Sequence, residues 1–180
     1  MPRFGGASFE VVSKLNIAGA NTKMQKEFNA LGYTGKDCVF AVLDTAMAEV
    51  GALRGCIEYA DSYRVDDRNT SDHATFIGNQ LNTWAPDATI LSYCVFPNGS
   101  GTAGKVNIAL ADVLARAKKD TSHHYFVNMS LGNNVGKNVV TPYIALMQSL
   151  IKQLTEANVP VFVAAGNDGS EQLYIYPSRF

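Results

Sequence analysis

The sequence predicts an α/β fold, a doubly wound and mostly parallel sheet with helices on both faces, and three observations carry that expectation. Residues 39–43, 89–96, 125–129 and 159–165 form short runs that are apolar or β-branched along their whole length. Such runs need cover on both faces, as parallel strands have between helix layers. Stretches of helical character lie between them, at 21–31, 75–81, 106–118 and 142–157. Strand and helix therefore alternate, the order that winds a parallel sheet.

Taken in order, the first helical stretch closes at Gly32, and Gly35-Lys36-Asp37 turns the chain into the first strand. That strand, 39–43, runs into Asp44. The second helix follows Ser71-Asp72 and ends near Trp84-Ala85-Pro86, ahead of strand 89–96. Residues 97–104 are rich in glycine and small polar residues and read as a flexible loop. In the third helix Val106, Leu110, Val113, Leu114 and Ala117 recur at helical spacing. In the fourth, Ile144, Met147, Leu150, Ile151 and Leu154 do the same. The last strand, 159–165, delivers Gly166-Asn167. No internal repeat or low-complexity tract interrupts this pattern.

A chain of 180 residues, 47% of them hydrophobic, can bury one sizeable core. A net charge of -1 provides no basic patch for nucleic acid or anionic lipid, so neither is expected as a partner. No segment reaches the roughly 18 uninterrupted apolar residues of a membrane span, and the amino terminus lacks a signal-peptide core. The expected location is cytoplasmic. Cys38, Cys56 and Cys94 are odd in number and widely spaced, which suits buried free thiols in a reducing compartment better than a disulfide or a metal site.

In an open parallel sheet the ligand crevice lies beyond the carboxyl ends of the strands. Asp44, residues 128–132 and Gly166-Asn167 all fall there. An aspartate after a strand is also a common helix cap or loop anchor. His73, however, opens a helix, where the dipole disfavours a positive charge and leaves a neutral ring able to accept a proton. An aspartate orienting a histidine is what general-base catalysis requires. The amide of Asn167, between Gly166 and Gly169, is placed to donate to a developing oxyanion, although Asn-Asp-Gly is equally a turn sequence. Ser130, Leu131 and Gly132 leave an extended backbone to which a bound peptide can add as a strand. Gly99, Ser100 and Gly101 offer a second edge or a plain surface loop.

The order of these pieces says more than any of them singly. Val-Leu-Asp44-Thr, Asp-His73-Ala-Thr, Asn128-Met-Ser-Leu-Gly132 and Ala-Ala-Gly-Asn167 resemble, in sequence and separation, consecutive blocks of the subtilisin-like serine proteases. The likeness extends from about residue 28 to Phe180. It implies a subtilisin-like catalytic domain over 28–180, preceded by an extension and helix start over 1–27. It also implies that Asp44 orients, that His73 is the base, and that Asn167 donates to the oxyanion. Ser130, Leu131, Gly132, Gly99, Ser100 and Gly101 would border the cleft for a peptide or protein substrate. Ala46, Ala74 and Phe76 replace two glycines and a histidine that the family usually has near its Asp and His. No calcium or other cofactor is implied, since the helix after His73 runs straight into Trp84 and Ala52 stands where an acidic ligand would be expected.

The family's Gly-Thr-Ser nucleophile block is absent from residues 1–180. Ser8 precedes Asp44 and stands in no strand-to-helix setting, so it is no substitute. The resemblance thus implies a catalytic domain cut before its serine, inactive by itself, with apolar sheet surface to be covered by its own carboxyl-terminal segment or another chain. A non-catalytic peptide-binding module is the alternative. A dinucleotide-binding domain fails because no glycine fingerprint follows the first strand.

Overall fold

A computed structural model describes residues 17–60, 72–97, 99–135, 140–166 and 174–180. Its centre is a sheet of five strands, β1 (Cys38–Asp44), β2 (Ile57–Tyr59), β3 (Thr89–Cys94), β4 (His124–Met129) and β6 (Val161–Val163), in the order β2-β3-β1-β4-β6. All four neighbouring pairs are parallel. A separate antiparallel pair joins β5 (Asn133–Val135) to β7 (Tyr174–Tyr176). The helices are α1 (Ile17–Ala30), α2 (Asp72–Trp84), α3 (Ala103–Lys119) and α4 (Pro142–Glu156). The expected alternation of strand and helix is therefore present, with β2 and the β5–β7 pair in addition.

Local chemistry starts and stops the helices. The Thr102 hydroxyl accepts the Lys105 amide at the head of α3, and that of Thr141 accepts the Ile144 amide at the head of α4, where Pro142 occupies the first turn. Each cap satisfies a donor the helix itself cannot. Arg116, Lys118 and Lys119 crowd the last turn of α3, the end that favours positive charge. Gly35, at φ 77°, turns the chain toward β1 so close to α2's end that a Cβ there would stand 2.6 Å from that of Ala85.

Strand periodicity then sorts side chains between two faces. Val39, Ala41 and Leu43 of β1 pack with Leu91, Tyr93, Val127 and Met129 against α3 and α4. The α3 stripe Val106, Leu110, Val113 and Leu114 is buried here, each residue worth roughly 1.5–3 kcal/mol of removal from water. On the opposite face Val42 and Ile90 pack with Met47, Leu53 and Ala74 beneath α2. Helix α1 lies against α2, through an edge-on contact of Phe28 with Trp84 and a hydrogen bond from the Gln25 amide to the Thr83 carbonyl. Cys94 is buried, whereas Cys38 and Cys56 are only half-buried, so the expectation of buried thiols holds in full for Cys94 alone. Each lies at an element end or beside a short edge strand, where cover is partial.

Candidate functional site

The chain leaving β1 goes on to β2 on one side, and the chain leaving β3 crosses to β4 on the other, so the connections at the carboxyl ends of these two neighbouring strands run in opposite directions, the position at which a parallel sheet places a ligand. Asp44 is the last residue of β1 and is 2% exposed. Its carbonyl accepts the amides of Val95 and Phe96 at 2.9 and 3.1 Å, which ties the strand end to the start of the 95–101 loop. Its Oδ1 accepts the Thr45 amide at 2.6 Å.

The same oxygen faces Nδ1 of His73, in the first turn of α2, at 2.7 Å. The carboxylate therefore holds Nδ1 as the protonated nitrogen, and the neutral ring keeps its lone pair on Nε2. This hydrogen bond lifts His73 above the ordinary histidine pKa; burial pulls the other way, and the charge of Asp44 adds to the lift. The helix start alone would do the reverse, so the expectation of a ring kept neutral by the dipole is corrected: a bonded carboxylate outweighs the partial charge of a helix end. Asp44 Oδ2 is buried and takes no hydrogen bond among the described residues. A buried anion so sparsely satisfied favours a cation beside it.

Two threonines that the sequence reading does not single out join the strand end to the helix. The Ala74 amide donates to Thr45 Oγ1 at 3.2 Å, and the Ala48 amide donates to Thr75 Oγ1 at 3.0 Å. Their signal in the sequence is weak: a hydroxyl adjoining an acid and a hydroxyl two residues after a histidine, both in otherwise apolar company.

Of the remaining candidates, residues 130–132 follow the carboxyl end of β4 and residues 99–101 lie beyond that of β3. The register pairing Val42 with Asn128, carried two residues on, brings Ser130 level with Asp44. The Ser130 hydroxyl receives a hydrogen bond from the Asn128 amide at 3.0 Å. Leu131 is buried in the α3/α4 core, while Ser130 before it and Gly132 after it are half-buried. Gly99, Ser100 and Gly101 are exposed in the loop that begins beside Asp44. Gly101 folds back onto β3's end, where a Cβ would stand 2.2 Å from the Val95 carbonyl oxygen. Asn167 lies outside the described residues, one position beyond Gly166. Among the described residues no group of three or more His, Cys, Asp or Glu side chains gathers to hold a metal ion, and no helix is long and apolar enough to cross a membrane.

The amino-acid sequence matches the subtilase family, Peptidase_S8, over residues 55–180, a span that includes His73, the 99–101 and 130–132 segments and Asn167. Comparison with curated proteins gave no match. Among solved structures, a lanthipeptide protease is similar at TM-score 0.64 and 20% identity, over 88% of this chain and 50% of that one. The prenylagaramide maturation protease PagA is similar at TM-score 0.65 and 18% identity, over 85% and 54%. A cold-adapted subtilisin-like serine proteinase is similar at TM-score 0.61 and 22% identity, over 82% and 53%. The chain thus spans about half the length of these structures, with which it shares a fold.

Proposed function

The chain belongs to the subtilase family, and from that membership we propose that it carries the aspartate, the histidine and the oxyanion-donor segment of a serine endopeptidase. The observation that carries this reading is the 2.7 Å contact of His73 Nδ1 with a buried Asp44 at the carboxyl edge of the central strand. In this reading a serine hydroxyl, supplied from outside residues 1–180, attacks the carbonyl carbon of a peptide bond. Its proton passes to His73 Nε2. Asp44 steadies the imidazolium that results, and Asn167 donates to the oxyanion. The imidazolium then protonates the leaving amine, and water releases the acyl group by the same relay. The extended backbone at 130–132 and the loop at 99–101 would hold the substrate segment on either side.

A second element of the proposal concerns cover. Asn128 and Phe162 share a face with Val42, and so do Phe40 and Phe126, which stack with ring centroids 5.1 Å apart. Phe162 is 57% exposed. We assign that surface to a segment supplied by the protein's own further sequence or by a second chain, the same source that would bring the serine.

The test is labelling with a serine-directed fluorophosphonate. The longer native product should react, and His73→Ala should lower labelling and peptide hydrolysis by at least about 10³-fold, while residues 1–180 alone stay unlabelled. Peptide binding without any labelling of the longer product would sink the protease reading and favour a peptide-binding module.

A further inference from the structure

The geometry points to Thr45 and Thr75 as positioning residues that set the alignment of His73 against Asp44, an inference that rests on the functional reading above. Asp44 and His73 belong to different elements, and a short hydrogen bond between them survives only if strand end and helix start are fixed to within a few tenths of an ångström. Two crossed bonds do this. Thr45, the residue after Asp44, offers its hydroxyl oxygen to the backbone amide of Ala74, the residue after His73. Thr75 offers its own to the backbone amide of Ala48, returning the connection from helix to loop.

Each bond also answers a local need. The Ala74 amide lies in the first turn of α2 and has no acceptor within the helix. Thr45 therefore acts as a helix cap supplied from another element, in a spot 8% exposed, where an unmet donor would be costly. The loop between is held on its other sides as well. The Tyr59 hydroxyl donates to the Met47 carbonyl at 3.1 Å, and Met47 lies so close over α2 that a Cβ on Gly78 would stand 2.7 Å from its sulfur. With the Asp44 carbonyl already tied to Val95 and Phe96, the threonine pair adds two direct bonds between the segment after Asp44 and the first turn of α2.

A cap that merely stabilised the fold would change the melting temperature and leave the His73 ring where it is. Valine is the discriminating replacement, since it keeps the shape and removes the acceptor, and serine should restore it. The experiment is proton NMR of histidine-labelled protein comparing wild type with Thr45→Val, Thr75→Val and Thr45→Ser. In the valine variants the low-field Nδ1–H signal of His73 should move upfield or broaden, and its titration midpoint should fall toward the ordinary histidine range; Thr45→Ser should match wild type. In the longer native product each valine variant should lose about 10–100-fold in kcat with KM little changed. A folded Thr45→Val variant with unaltered His73 signals would overturn the inference. Should that variant not fold, Thr75→Val, at a partly exposed position, decides by the same signals. Because the NMR arm needs no turnover, an inactive wild-type product would count against the protease reading and leave the positioning result standing.

Discussion

On the α3/α4 face of the sheet Leu110, Val113 and Leu154 are fully buried, whereas on the α2 face of the same strands Phe162 stands 57% exposed. The difference follows from dimensions. Five strands at their usual spacing make a sheet about 19 Å wide, and one helix with its side chains covers about 10 Å of that. Two helices, α3 and α4, nearly close one face. On the other, α2 covers Val42 and Ile90, while α1 packs against α2. The crevice with Asp44 and His73 therefore sits at the boundary between a finished and an open half of one surface.

The comparison can be broken most decisively by truncating one apolar side chain on each face. Leu110→Ala should cost about 2–5 kcal/mol, and Phe162→Ala about 0.5 kcal/mol or less, both read as shifts of the urea midpoint of residues 1–180. Equal losses would mean that Phe162 is covered in solution.

A smaller effect sharpens the boundary itself. Because its folded pKa is raised, His73 stabilises the fold fully below the unfolded value of 6.5, and the contribution is lost as pH rises through the raised folded value. A charge-assisted hydrogen bond, discounted for the one-third exposure of His73, contributes about 1 kcal/mol. The gap in melting temperature between wild type and Asp44→Asn should thus be widest below pH 6.5 and narrow above it; a gap independent of pH would separate Asp44's structural role from His73. The smallest effect concerns how closely α2 sits on its half of the face. Gly78→Ala adds a methyl group 2.7 Å from the Met47 sulfur, and overpacking of about 1–3 kcal/mol should exceed the roughly 1 kcal/mol that alanine contributes to a helix. A higher denaturation midpoint would show that Met47 yields and that this packing is loose.

What the sequence made legible divides along similar lines. The runs that became β1, β3 and β4 were readable because burial on both faces demands uninterrupted apolar residues, and α3 and α4 because their stripes face a complete core. Strand β2 was not readable: Ile57-Glu58-Tyr59 is three residues at an edge, with a charge that bonds Arg116 across the surface. The last strand is Val161–Val163 rather than 159–165, since among the described residues it pairs on one side only, with β4. Helix α2 ends at Trp84, where Ala85-Pro86 led one to expect it, and its stripe Ala74, Ile77 and Leu81 packs on the sheet; the Thr83 hydroxyl bonds the Asn79 carbonyl within the helix. Asp44 and His73 stood out through motif order, but Thr45 and Thr75 act across elements far apart in sequence, and no local pattern announces such a contact.

The central place of β1 also has a consequence in time. Both of its partners are made later, and the pairing with β4 sets Cys38 opposite His124 and Val42 opposite Asn128. At a synthesis rate of roughly 5–20 residues per second, β4 follows β1 from the ribosome by on the order of ten seconds. For that interval the apolar segment Val39-Phe40-Ala41-Val42-Leu43 exists with at least one unmatched edge, so the strand that will present Asp44 passes through a stage in which it is open to aggregation or to a chaperone.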